Sequence, residues 1–137
     1  MIVLDASAVL DLLLRTERAE SIAALVFSPD QRLHAPHLLD IEVTQVLRRL
    51  VQHKSLAASR ARTALTDYAD LSIERHDQTL LLPRIFDLRD SLTAYDGVYI
   101  ALAEVLDAPL LTCDARLARS HGHRATVTLI AVGATDS

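Results

Sequence analysis

Apolar positions along this chain follow two rhythms that alternate from end to end. Short unbroken apolar runs give way to longer stretches in which an apolar residue returns every three or four positions. Residues 1–4 are an apolar run rich in β-branched side chains and predict a strand, and residues 6–14 predict a helix that is apolar on nearly every side. Residues 17–27 predict a second helix, closed by the stop and turn signals Ser28-Pro29-Asp30 before a short strand at 32–35. Pro36 is expected to open a long helix reaching about residue 54, followed by a helix at 56–69 and a short strand at 71–74. Residues 78–88 read as helical with a kink or break at Pro83. A strongly apolar helix at 95–106 precedes Ala108-Pro109 and a strand at 110–113. A short basic helix at 115–120 then ends near Gly122, and 126–131 is the last strand.

Strands separated throughout by helices, and written as continuous apolar runs, favour a parallel sheet covered on both faces, an α/β fold with about four or five short strands. At 137 residues, half of them hydrophobic, the chain holds one core and no second domain. The expected division is a single domain at 1–131 and a polar tail at 132–137, with no internal repeat.

Composition narrows the function classes. Asp11, Arg15, Arg48 and Glu104 interrupt every apolar stretch that approaches the ~20 residues of a membrane span. The amino end has no basic start and carries Asp5 inside the would-be apolar region, unlike a signal peptide, so the expected location is the cytoplasm. The lone Cys113 fits a reducing compartment. A net charge of −4 argues against nucleic-acid binding through bulk positive charge, but not against nucleic-acid chemistry through divalent cations at an acidic site.

Four acids invite that chemistry. Asp5 directly follows the first strand, at the carboxyl edge where open α/β sheets bind ligands, although it would serve equally as a helix N-cap. Asp114 repeats the arrangement after Leu110-Leu111-Thr112-Cys113, and two such acids on neighbouring strands would reach a shared cation. Asp96 lies in the first turn of the apolar helix, where the dipole favours anions; if Thr93 is the N-cap, Asp96 falls at N3 with its side chain free. Glu42, at ~100° per residue, falls between Leu38 and Val46, inside the apolar arc of Leu39, Val43, Leu47 and Leu50. Burying it unpaired costs several kcal/mol, relieved either by a cation or by a salt bridge to Arg48, Arg49 or another arginine. Acids gathered from four segments suit Mg²⁺ or Mn²⁺, which take hard oxygen donors and leave waters for a phosphate substrate. Held close without an ion, the acids would repel one another, raise some of their pKa values and gain stability from metal.

Three passages carry a family resemblance: Ile2-Val3-Leu4-Asp5-Ala6-Ser7-Ala8, Leu92-Thr93-Ala94-Tyr95-Asp96-Gly97-Val98-Tyr99-Ile100-Ala101-Leu102-Ala103, and Leu110-Leu111-Thr112-Cys113-Asp114-Ala115-Arg116-Leu117. With Glu42 following Pro36, the chain resembles the PIN-domain ribonucleases, and within them the VapC-type toxins of bacterial toxin–antitoxin pairs, over almost its whole length. Gly97 stands in the place of the small residue that often follows the third acid, a minor departure. The resemblance implies a three-layer α/β/α fold and a metal-dependent endoribonuclease with Asp5, Glu42, Asp96 and Asp114 as catalytic metal ligands. It also implies Ser7 and Thr112 as hydroxyls that orient carboxylates or waters. Arg15 and Arg116 are candidates for holding RNA phosphates.

The helices at 6–14 and 21–27 are more apolar than one buried face requires. One such patch is expected to form a homodimer and another to receive the apolar segment of an antitoxin, whose basic residue would occupy the acidic site. Two other classes compete with the nuclease. A phosphatase or phosphotransferase using Asp5 would want a second acid where Ser7 stands or a late lysine, and a non-catalytic interaction domain would use the apolar helices alone. Zinc spacing is absent from His34 with His37 and from His121 with His123. Cys113 reads as a small buried hydrophobe, and Asp40, Asp87 and Asp90 as surface carboxylates, with Asp90 able to assist the site if its loop folds inward.

Overall fold

The computed structural model of the protein describes residues 1–132, so the tail expected from 132 lies, apart from Val132, outside the described residues. Its elements run β1 (Ile2–Leu4), α1 (Ala6–Leu13), α2 (Ala19–Val26), β2 (Leu33–Pro36), α3 (Leu38–Gln52), α4 (Ala58–Asp70), β3 (Ile73–His76), a 3₁₀ turn (Thr79–Leu81), α5 (Leu82–Asp87), α6 (Ala94–Leu106), β4 (Leu110–Thr112), α7 (Ala115–Ala118) and β5 (Val127–Leu129). The strands form one sheet in the order β3-β2-β1-β4-β5, and every pair is parallel. Helices α1 to α4 pack on one another over one face, and α5 and α6 pair over the other. The result is the three-layer α/β/α arrangement that the alternation of runs and periodic stretches predicts.

The unbroken apolar runs are explained by this burial on both sides: Val3, Leu4, Leu110 and Leu111 are all in the core. Strand order reverses between β1 and β4, and in open α/β sheets the crevice outside the carboxyl ends of such a pair is where ligands bind. Both Asp5 and Asp114 leave the sheet at that place.

Helix α6 is buried through most of its first three turns because its small residues admit close neighbours on several sides. A Cβ on Gly97 would already meet Ile85 Cγ2 at 3.4 Å, so α5 lies directly over the start of α6. The same pair of helices is tied by charge. Arg84 of α5 donates from Nε to Glu104 Oε1 (2.8 Å) and from Nη2 to Oε2 (2.9 Å), and the Arg124 backbone N–H donates to Oε2 (2.8 Å). The Glu104 side chain is only 2% exposed, and these bonds hold its carboxyl down at about 2. A carboxyl depressed by folding adds stability above its unfolded pKa, and that stability is lost as pH falls toward the folded value. Glu104→Gln, which removes the charge but keeps the shape, is expected to cost about 2 kcal/mol at neutral pH. In urea titrations the gap from wild type should close as the pH is lowered from neutral into the acid range.

Several boundaries differ from the sequence expectation for identifiable reasons. Pro36 closes β2 instead of opening α3. It pairs with His76 in the ladder, and the next N–H, that of His37, donates to the His76 carbonyl. The third strand starts at Ile73 and not at residue 71, because α4 runs on to Asp70 and Leu71 caps it. Pro83 does not kink a helix: it stands in the first turn of α5, where its missing N–H costs nothing. The apolar excess of α1 is taken up internally, with Ala8, Val9, Leu10 and Leu13 all buried, whereas Leu25 of α2 and the adjoining Phe27 remain exposed.

Candidate active site

The site is assembled by the β1–β4 pairing. Val3 and Leu4 stand beside Leu110 and Leu111, so one step further along, Asp5 meets Thr112 at the carboxyl edge. Asp5 does cap α1: its Oδ1 accepts the Ala8 N–H (3.0 Å) and the Ser7 hydroxyl (2.7 Å). Its Oδ2 accepts the Thr112 hydroxyl at 2.5 Å. Thr112 and Ser7 are themselves placed by backbone, since Thr112 Oγ1 accepts the Asp114 N–H (3.0 Å) and Ser7 Oγ accepts the Cys113 N–H (2.9 Å). Burial raises the Asp5 pKa against these hydrogen bonds, and the Asp114 charge pushes the same way. The fold thus spends three donors to keep one buried carboxylate in place.

Asp114 caps α7, with Oδ1 accepting the N–H groups of Arg116 and Leu117. Thr93 caps α6 by accepting the Asp96 N–H (3.2 Å), so Asp96 sits at N3 with its carboxylate free of capping duty. That carboxylate and Asp114 are bridged by one guanidinium group: Arg116 Nη2 donates to Asp96 Oδ2 (2.8 Å) and Asp114 Oδ2 (3.1 Å). Glu42, half-buried on α3, accepts the Tyr99 hydroxyl of α6 at 2.5 Å, and neither Arg48 nor Arg49 pairs with it. Burial raises the Glu42 pKa, Tyr99 opposes this, and the charges of Asp96 and Asp5 raise it further. Burial and Glu42 together raise the Tyr99 phenol well above its ordinary value, so it stays a donor.

Asp5, Glu42, Asp96 and Asp114 are therefore neighbours at the carboxyl edge of the sheet: Asp114 acts on Asp5, Asp96 and Asp5 act on Glu42, and Arg116 joins Asp96 to Asp114. Among the described residues His34, Glu74 and His76 alone bring their ligand atoms within 4.8 Å of one another, and no three of these acids do so. A cation already stands among them, however, in the form of the Arg116 guanidinium. An all-oxygen donor set, one member buried and two with raised pKa values, suits a hard divalent ion.

Other candidates fall elsewhere. Arg15 lies past the last turn of α1, about 12 Å of helix from Asp5, among Leu12, Phe27, Asp67 and Asp70, and is not brought to the acids. Asp90 is exposed and shares none of their hydrogen bonds. Cys113 is half-buried, and burial together with Asp11 pushes its thiol up to about 12, far from a nucleophile's range. Asp40 is more than a surface carboxylate: Arg75 Nε (2.9 Å) and the Tyr68 hydroxyl (2.6 Å) both donate to its Oδ1. Tyr99 escapes the sequence reading, although its place one turn after Asp96 on the same helix is a legible signal.

A doubly wound parallel sheet with acids at its switch point defines an α/β domain that takes its ligand at the carboxyl edge of the strands, and comparison with known proteins narrows it. Residues 2–121 match the PIN domain. The chain is 40% identical over 130 residues to the VapC ribonuclease Mb0985 of Mycobacterium bovis, covering 95% of this chain and 98% of that protein. It is 37% identical over 131 residues to Ribonuclease VapC12 of Mycobacterium tuberculosis, covering 96% and 100%. Among solved structures, PAE2754 from Pyrobaculum aerophilum shares the fold with a TM-score of 0.68 at 20% identity, over 92% of this chain and 81% of that one. VapBC2 from Rickettsia felis, bound to a DNA fragment from its promoter, shares it with a TM-score of 0.69 at 13% identity, over 94% and 98%. The chain belongs to the PIN-domain family, in its VapC branch.

Proposed function

We propose that this chain is a metal-dependent endoribonuclease, the toxin of a VapBC-type pair neutralised by a cognate antitoxin. The observation that carries the proposal is the meeting of Asp5, Glu42, Asp96 and Asp114 at the switch point, with a guanidinium bridging two of them. These four acids would hold Mg²⁺ or Mn²⁺, while Ser7 and Thr112 fix the Asp5 oxygens. When bound, the ion would polarise a phosphoryl oxygen and activate a water. Tyr99 holds Glu42 in place and keeps its own proton. Arg116, once released from Asp96 and Asp114, is positioned to hold an RNA phosphate beside them.

Purified protein is expected to cut single-stranded or looped RNA with Mg²⁺ or Mn²⁺ and to stop when a chelator is added. Cleavage that persists in chelator, or in an Asp96→Ala variant, overturns the assignment. Arg116→Met is expected to raise KM for RNA about tenfold, the worth of one charge-assisted hydrogen bond. It should also lower the Mg²⁺ concentration needed for half-maximal rate, because a competing cation is gone. An unchanged Mg²⁺ dependence would remove Arg116 from the site.

The antitoxin is expected to mimic the internal arginine, placing a basic side chain among the acids and an apolar segment over the exposed Leu25 and Phe27. A homodimer is proposed beside it, with light scattering as its check.

A further inference from the structure

The paired strands β2 and β3 carry a second group of titratable side chains that the acid crevice does not use. Their register sets His34 beside Glu74 and Pro36 beside His76. Residues two apart on a strand share a face, so Glu74 and His76 stand on the same side as His34. Arg75, between them, turns to the opposite face, where it pairs with Asp40 of α3 and lies over the Tyr68 ring of α4. Pro36 leaves the position beside His76 without a long side chain, and the His76 ring reaches across to His34, with centroids 5.1 Å apart. His34 Nδ1 consequently lies 2.9 Å from His76 Nε2 and 3.2 Å from Glu74 Oε2, and the three atoms all fall within 4.8 Å of one another.

Hydrogen bonding leaves this group unfinished. His34 Nδ1 faces both His76 Nε2 and Glu74 Oε2, and a single ring proton cannot serve both contacts. His34 Nε2 lies outside the cluster, buried with no hydrogen-bond partner, and would keep the ring proton with an ion at Nδ1. Burial also pushes the His34 pKa down, which keeps the ring neutral, the form that ligates metals. A tetrahedral Zn²⁺ ion bonded at about 2.0–2.2 Å to nitrogen and oxygen holds its donors about 3.3–3.6 Å apart. The Glu74 oxygen at 3.2 Å is nearly there, and the His76 ring at 2.9 Å needs to draw back by only a few tenths of an ångström.

We propose that His34 Nδ1, Glu74 Oε2 and His76 Nε2 form a second metal site, for a transition ion of the Zn²⁺ class. Two imidazoles and a carboxylate are the donor set of zinc sites that keep a fourth position open, and the exposed Glu74 side leaves that position facing water. Two nitrogen donors disfavour Mg²⁺, so this site and the acid crevice select different ions. β3 is one of the two edge strands of the sheet, and an ion here clips it to β2, binding only the folded chain and raising its stability by mass action. The site itself does not rest on the nuclease reading, which enters only through the Mg²⁺ background and the cleavage control of its test.

The test is a titration of the metal-free full-length protein with Co²⁺ in excess Mg²⁺, which occupies the acid crevice. One equivalent should bind with the visible absorption of nitrogen-ligated, low-coordinate Co²⁺, be displaced by Zn²⁺, and raise the thermal midpoint. His76→Ala should weaken binding at least about 100-fold, since changing mere supporting partners of metal ligands already costs 10–100-fold. Glu74→Gln should weaken it as well, and His53→Ala should not. Metal-free thermal unfolding of His76→Ala near the wild-type midpoint confirms that it folds, and its Mg²⁺-dependent RNA cleavage should be unchanged. Absence of the absorbing equivalent in wild type, or wild-type affinity in both His76→Ala and Glu74→Gln, overturns the site.

Discussion

Asp5→Asn is expected to lower RNA cleavage by at least about 10²–10³-fold and, at the same time, to make the metal-free protein more stable at neutral pH. The two effects have one cause. Asp5 is 5% exposed, and burial raises its pKa above that of the unfolded chain. A carboxyl raised by folding favours the folded state below its unfolded pKa, and that advantage is lost as pH rises through the folded value. At neutral pH wild-type Asp5 therefore works against folding. Asn carries no charge, still accepts from Ser7 and Ala8, and offers an amide to Thr112, whose proton can turn to Ser7 Oγ at 3.2 Å. Calorimetry without metal should show the Asn variant gaining on wild type as pH rises from the acid range to neutral. A variant that is less stable at every pH, or that cleaves at the wild-type rate, would contradict a buried carboxylate kept for chemistry.

Thr112→Val should produce the second large effect, in the opposite direction for stability. Thr112 is fully buried, and its hydroxyl donates to Asp5 Oδ2 and accepts from the Asp114 N–H. Valine keeps the volume and strands both partners, a cost of about 2–3 kcal/mol. The Thr112 bond is also the largest influence holding the Asp5 pKa down, so its removal lets that pKa rise further. Protons then compete with metal over a wider range, and the acid limb of the cleavage profile should move to higher pH, with activity lower by about 10–100-fold. Thr112→Ser, which restores the hydroxyl, should recover the profile. A Val variant that loses stability but keeps the wild-type pH profile would reduce Thr112 to a packing role.

Much of the candidate site was legible because its proposed members stand at predictable places. Asp5 and Asp114 end apolar runs, and Asp96 follows a Thr cap by three residues. Glu42 breaks an apolar helix face, where an uncompensated charge is costly. What could not be read was how each acid is compensated. Glu42 is met by Tyr99 and not by an arginine of its own helix, and Arg116 spans two acids from different helices. Arg15, equally basic and equally near an apolar helix, sits at the wrong end of α1.

The sequence alone determined the alternation of strand and helix, hence a parallel α/β sheet with acids at its carboxyl edge, because those features follow from local periodicity and from which residues tolerate burial. Only the tertiary structure decided which strands are neighbours. The order β3-β2-β1-β4-β5 puts Thr112 beside Asp5 and His34 beside Glu74 and His76, pairs separated by 107 and by 40 and 42 positions. Register between distant strands is set by the packing of the whole core, which no local pattern encodes.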